Sequence, residues 1–482
     1  MIRPSILFCV AISGAVGAAQ EFHPSIPKAW DDRETTLFEL PLAQADRSPR
    51  YLSAKEYYSI PVRPAYRTYP YYAPDKEPAG YWESLHQKEP EIVFDPAKLR
   101  TKEDWIRTGE LVFEAPLVFI PADAARARYQ ANIRAVPMPT TPEGIVPSWY
   151  YVIRKKGVVE MGFGSCAECH IRVLPDGTPV KGAQTNFPIS QSSAWRWPLL
   201  GPGSQVVQRK RDRDFAPWAA NQDDWDRMTL DEITRRTIAM PPGVLEREGT
   251  STKHPVKFPS LIGIGDLKYL DATGLSRNRN IGDLMRYAIV NQGMMSFAHY
   301  GDYYPKTDPP GGNTRYSDEQ LYALSLYLLS LKPPPNPNPF DDEARRGQVV
   351  FERQGCAVCH PAPLYTNNKL TPAKGFKIPD ALRKSEAIMD ISVGTDPGLA
   401  LETRRGTGFY KVPSLRGVWM RSVFGHEGQA ASLEEWFDPA RLNADYVPKG
   451  FHLAPGPIEG HEFGVRLPAA DRMALIAFLK TL

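Results

Sequence analysis

The sequence predicts a mainly α fold built twice over: two related helical domains carrying long loops and insertions, the largest in the first. Three observations carry this. One five-residue word occurs twice, as Cys166-Ala-Glu-Cys169-His170 and Cys356-Ala-Val-Cys359-His360. Three further blocks repeat in the same order around each word. Proline is abundant, 47 residues in 482, which implies long ordered loops around few helices.

The word itself is C-x-x-C-H, the attachment site of a c-type haem. Its two thiols form thioethers to the vinyl groups of one porphyrin, and the following histidine ligates the iron. Cys166, Cys169 and His170 would hold one haem, and Cys356, Cys359 and His360 a second, both covalently attached. A zinc site would need two ligand pairs in one tetrahedron; here the words lie 190 residues apart.

The repeated blocks order the domains. Arg107-Thr-Gly-Glu-Leu-Val-Phe-Glu114 matches Arg345-Arg-Gly-Gln-Val-Val-Phe-Glu352. Lys257-Phe-Pro-Ser-Leu-Ile-Gly-Ile264 matches Lys411-Val-Pro-Ser-Leu-Arg-Gly-Val418, and the helical block from Tyr322 to Leu331 matches Met473 to Leu482. Leu321, Leu324, Leu328 and Leu331 share one face of the first closing helix; Leu475, Phe478, Leu479 and Leu482 share one face of the second. Pro333, Pro334 and Pro335 stop the first copy and form a stiff linker. The second opening helix begins near Asp342, a candidate N-cap. Opening and closing helices beside a C-x-x-C-H word are the architecture of the cytochrome c fold. The reading is residues 20–100 as an N-terminal wrap, 101–335 as the first domain and 341–482 as the second.

The copies differ in length. Cys356 follows Phe351 by five residues, whereas Cys166 follows Phe113 by 53. Large insertions beside a cofactor are where pockets and lids are built. Within them, Trp149 to Phe163 alternates around Lys155-Lys156-Gly157, as a β-hairpin that delivers the first word would.

Arg3, the apolar run Ile6 to Val16 and the small residues Gly17, Ala18 and Ala19 read as a secretory signal peptide over residues 1–19. Cys9 would leave with it, and the four cysteines that remain are all claimed by haem. The expected location is periplasmic or secreted, with no membrane-spanning segment. A net charge of +3 argues against a nucleic-acid partner. The expected partners are an external electron donor or acceptor and a small-molecule oxidant.

The ligand opposite each proximal histidine separates the functions. An iron with two protein ligands carries electrons, and one with an open face binds oxygen or peroxide. His461 is the candidate distal ligand of the second haem, with His426 or Met420 as fallback. Neither histidine has a counterpart in the first domain, where Ala272 stands at the position of His426. The first haem is therefore either open or ligated by His299, Met294 or Met295.

Val412-Pro-Ser-Leu-Arg416, Phe424-Gly-His-Glu-Gly428 and Ser432-Leu-Glu-Glu435 resemble the run that follows the second haem in the dihaem cytochrome c peroxidase superfamily. That superfamily includes the maturation enzyme of methylamine dehydrogenase and the secreted dihaem rubber oxygenases. The resemblance covers roughly residues 100 to 482. It implies an oxidoreductase whose first haem meets dioxygen or peroxide and whose second relays electrons. In the rubber oxygenases the second haem is bis-histidine, which His360 and His461 would supply. The peroxidases' W-D-G-R element, with its tryptophan between the haems, reads Tyr269-Leu-Asp-Ala-Thr-Gly274 here. Tyr269 is the candidate aromatic bridge, and no match to the peroxidases' distal glutamate is located. The alternative is a non-catalytic electron-transfer cytochrome with both irons six-coordinate.

Overall fold

The computed structural model describes residues 21–200, 228–246, 249–293, 297–300 and 314–482. Residues 1–19, read from the sequence as a signal peptide, lie outside them.

Two helix pairs frame the molecule. In the first, α1 (Lys102–Glu114) packs on α3 (Asp318–Ser330), with α2 (Cys166–His170) beside them. In the second, α4 (Asp342–Arg353) packs on α6 (Ala469–Lys480), next to α5 (Cys356–Cys359). The repeat is visible at atomic level. Gly109 and Gly347 hold equivalent places, and a Cβ on either would collide with the carbonyl oxygen of Ala323 or of Ala474. One turn on, Phe113 meets Tyr327 at 5.4 Å between ring centroids, and Phe351 meets Phe478 at 5.3 Å. Capping fixes the helix starts. Thr101 and Ser317 close capping boxes, and Asp341 caps α4 through Ala344 N–H, one residue earlier than the sequence pattern indicates.

The fold is helix-leaning but mixed, 37% helical and 14% strand, so the mainly α expectation understates its sheet. A four-stranded antiparallel sheet in the order β1-β3-β4-β2 comprises β1 (Thr68–Tyr72), β2 (Val118–Pro121), β3 (Ile145–Lys155) and β4 (Val158–Phe163). The expected hairpin is β3–β4, turning at Gly157 with φ +75°. Its side chains alternate between two cores. Trp149, Tyr151 and Ile153 join Tyr71 and Met161 on one face; Tyr150 joins Phe113 and Leu324 on the other. The strand is buried on both faces because the segment before residue 100 covers the outer one: Tyr71 meets Trp149 at 5.6 Å and Trp82 meets Tyr151 at 5.5 Å.

The two halves share a bonded seam. Asp271 pairs with Arg405 at 2.5 Å, both buried, and the Lys411 N–H donates to the Ala272 carbonyl at 3.0 Å. No helix among the described residues is long and apolar enough to cross a membrane.

Candidate functional site

The first word begins where β4 ends. Gly164, at φ +76°, turns the chain, and its N–H donates to the Glu168 carboxylate at 2.9 Å. Burial pushes the Glu168 carboxyl above its ordinary range. His170 places Nδ1 3.1 Å from the Pro259 carbonyl oxygen. A carbonyl only accepts, so Nδ1 carries the proton and Nε2 the lone pair that a metal takes. Phe258 sets its ring edge against the imidazole at 6.1 Å.

The second word repeats this logic. Gly355, at φ +71°, opens α5, and His360 places Nδ1 3.0 Å from the Tyr365 carbonyl oxygen. The Pro413 carbonyl also faces that imidazole. Pro259 and Pro413 are the same position of the repeated Lys-x-Pro-Ser-Leu block, so the duplication extends to the groups that orient the two histidines.

His461 stands opposite His360. Their ring centroids are 6.5 Å apart and the ring planes 57° apart. Two imidazoles that each reach a shared first-row metal at about 2 Å have centroids about 6 Å apart. His461 adopts φ +46°, a left-handed conformation seldom taken by a non-glycine residue. The loop compels it: its N–H donates to the Val393 carbonyl at 2.7 Å and its carbonyl accepts from Arg441 at 3.0 Å. Arg441 is fully buried and also binds the Trp436, Ile458 and Gly460 carbonyls, clamping the loop from below. Trp436 and Phe463 flank the ring at 5.6 and 5.5 Å. Burial, then the neighbouring His360, pulls its pKa down to about 4. Its Nδ1 is buried without a hydrogen-bond partner among the described residues. A neutral imidazole with a buried, unpartnered nitrogen calls for a ligand outside the chain.

A set of enclosed cations lies along the seam. Lys257 and Lys411, the same position of the repeat, are pulled down to about 7 and about 8 by burial, with Arg421 close to both. Burial likewise lowers Arg421 and Arg172 to about 10. All four are half-buried. Cations desolvated together favour an anion between them, and carboxylates of a porphyrin fit that need. Neither Arg441 nor this cationic set is visible in the sequence pattern, apart from the repeat that relates Lys257 to Lys411.

The other candidates are elsewhere. Tyr269 lies on the seam, its hydroxyl donating to Glu386 at 3.0 Å and accepting from the Ala387 N–H at 2.9 Å. His426 stacks on Tyr410 at 4.3 Å, with Nε2 3.2 Å from the phenol oxygen. Met420 is buried in an apolar cluster with Val180 and Ala183. Met294 and Met295 lie outside the described residues. For His299 only the backbone is described, in a strand pairing it with Arg50.

The residues present therefore fit haem at both words: duplicated thiol pairs, two histidines of matched tautomer, one opposed imidazole and buried cations for the porphyrin acids. No family model matches the chain, and no curated protein matches it significantly. Solved structures do match. A MauG-like protein associated with microbial copper homeostasis is 18% identical with a TM-score of 0.32, covering 58% of this chain and 88% of that one. A dihaem peroxidase, BthA, from Burkholderia thailandensis is 17% identical with a TM-score of 0.28, covering 65% and 92%. Hydrazine synthase from Kuenenia stuttgartiensis is 14% identical with a TM-score of 0.30, covering 58% and 88%. At that distance these likenesses carry neither fold nor chemistry across to this chain.

Proposed function

We propose that this chain is a secreted dihaem c-type cytochrome acting as an oxidoreductase. Cys166 and Cys169 would bind one haem covalently and Cys356 and Cys359 the other, with His170 and His360 as proximal ligands. The opposition of His360 and His461 carries the reading: one buried and one half-buried imidazole at iron-sharing distance beside a C-x-x-C-H word. Haem iron supplies one-electron transfer and, where one axial position is open, activation of dioxygen or peroxide.

The protein's share differs between the two sites. At the second, Arg441 holds the loop that presents His461, and Trp436 and Phe463 keep the imidazole packed. That arrangement suits electron relay to an external donor or acceptor. At the first, the Pro259 carbonyl orients His170, and the sequence offers Ala272 where the second domain has His426. We assign the reaction with a small-molecule oxidant to this first site. Lys257, Lys411, Arg421 and Arg172 would bind the porphyrin carboxylates along the seam.

Mass spectrometry of the secreted protein tests attachment: two haem masses are expected, and one after Cys356→Ser with Cys359→Ser. Low-temperature EPR of the ferric protein and optical spectra with carbon monoxide test the roles. One high-spin and one low-spin signal, with carbon monoxide bound at one haem and lost on replacing His170, is the expected result. Two low-spin signals without carbon monoxide binding would leave an electron-transfer cytochrome.

A further inference from the structure

A cavity of about 310 Å³ opens beside the seam, lined by His254, Asp396, His426, Glu427 and Trp436 among others. We propose that His254, Asp396 and Glu427 bind one divalent transition-metal ion there. One ligand atom from each lies within 4.8 Å of the other two. His254 and Glu427 are buried, and Asp396 is exposed. His254 comes from the insertion-bearing half of the chain, and the two carboxylates from the other half.

The donors are held in place. His254 Nδ1 lies 2.9 Å from Glu427 Oε1, and Gln429 supports the second Glu427 oxygen at 3.3 Å. Asp396 accepts from the Gly398 N–H at 2.8 Å through Oδ1, while its carbonyl accepts from the Tyr410 hydroxyl at 2.7 Å. The imidazole lies flat against Gly398. A Cβ there would come within 1.9 Å of Cε1, so only glycine admits the ring at this position. The site is thus shaped around the imidazole as well as charged.

The charge balance points the same way. Asp396, Glu402 and Glu427 converge on the imidazole, with Glu402 Oε2 3.3 Å from Nε2, and Lys253 reaches Glu402 at 3.4 Å. The ion would take the ring nitrogen facing Glu427, with Glu402 left to hold the other. One imidazole with carboxylate oxygens suits zinc, manganese or ferrous iron, and an ion that keeps water in its remaining positions. Calcium and magnesium prefer oxygen-only sites.

Zinc is the probe, because it is redox-silent and leaves haem spectra alone. The haem-loaded full chain, stripped with a chelator, is titrated calorimetrically with zinc chloride near neutral pH. One saturable site at about micromolar Kd or tighter is expected. Asp396→Asn should weaken it about tenfold or more, and Gly398→Ala, which alters no donor, should weaken it as well. His254→Ala should abolish it. If His254→Ala does not fold, the exposed Asp396→Asn decides. Titrations that match between wild type and Asp396→Asn would overturn the proposal, as would calcium binding as tight as zinc.

Discussion

The α-carbon of Gly347 lies against the carbonyl oxygen of Ala474, so closely that a Cβ would come within 1.8 Å of it. Gly109 repeats the contact with Ala323 at 2.0 Å. These two glycines let each opening helix cross its closing helix backbone to backbone. Gly347→Ala would gain about 1 kcal/mol of helix propensity but force the helices apart, at a cost of about 3 kcal/mol. Urea unfolding followed by circular dichroism should show a net loss, with Gly109→Ala similar. A stabilised variant would mean that the helices do not cross here.

His461→Ala should convert the second haem from low-spin to high-spin in the ferric state and open it to carbon monoxide. His461→Met should keep it low-spin. Arg441→Met should act in the same direction as His461→Ala but incompletely, because the loop loses its clamp while the imidazole survives. EPR of the three variants separates a ligand from a merely buried histidine. A low-spin signal unchanged in His461→Ala would remove it from the iron.

How much of this could be read without coordinates follows from what repeats. The two helix pairs, the hairpin ahead of Cys166 and the repetition of the Pro-Ser-Leu block were legible because each exists twice or alternates with a clear period; that the block's proline carbonyls face the histidines was not. His461 was legible as a histidine near the closing helix without a counterpart in the first copy. Arg441 was not, because it acts on backbone carbonyls of a loop with no period, and an arginine in such a loop reads as solvated. The convergence of His254 with Glu427 was equally hidden: 173 residues separate them, and the insertion bearing His254 has no partner in the repeat. The sheet content was underestimated because the outer face of β3 is covered by chain from before residue 100, whose tyrosines and prolines show no pattern of their own.

Tyr269→Phe keeps an aromatic ring on the seam and removes its hydroxyl. Burial pushes this phenol up to about 12, so it stays protonated and donates to Glu386, which also receives Arg277 at 2.7 Å. Losing it leaves the Ala387 N–H and one Glu386 oxygen short of a partner, at about 1–3 kcal/mol. Stability should fall by that amount. Electron exchange between the haems, followed by flash photolysis of the half-reduced protein, should hold in Tyr269→Phe and slow in Tyr269→Leu if the ring is the bridge. Equal rates in both variants would leave Tyr269 with its structural bonds alone.

Lys257→Met tests the buried cations. Lys257 and Lys411 occupy one position of the repeat, and each is pulled down first by burial, with Arg421 adding repulsion. Without an anion nearby, replacing Lys257 by an apolar side chain of similar length should stabilise the protein. With porphyrin carboxylates beside it, the same change strips a charge-assisted bond and destabilises it instead, and we expect this second sign. Removing one positive charge near an iron also favours its ferric form. At an effective dielectric of about 20 and a separation of about 15 Å the effect is about 1 kcal/mol, or about 40 mV for one electron. The midpoint potential of one haem should therefore drop in Lys257→Met. Spectroelectrochemical titration reads the shift. Potentials that match in wild type and variant would place the lysine away from either iron.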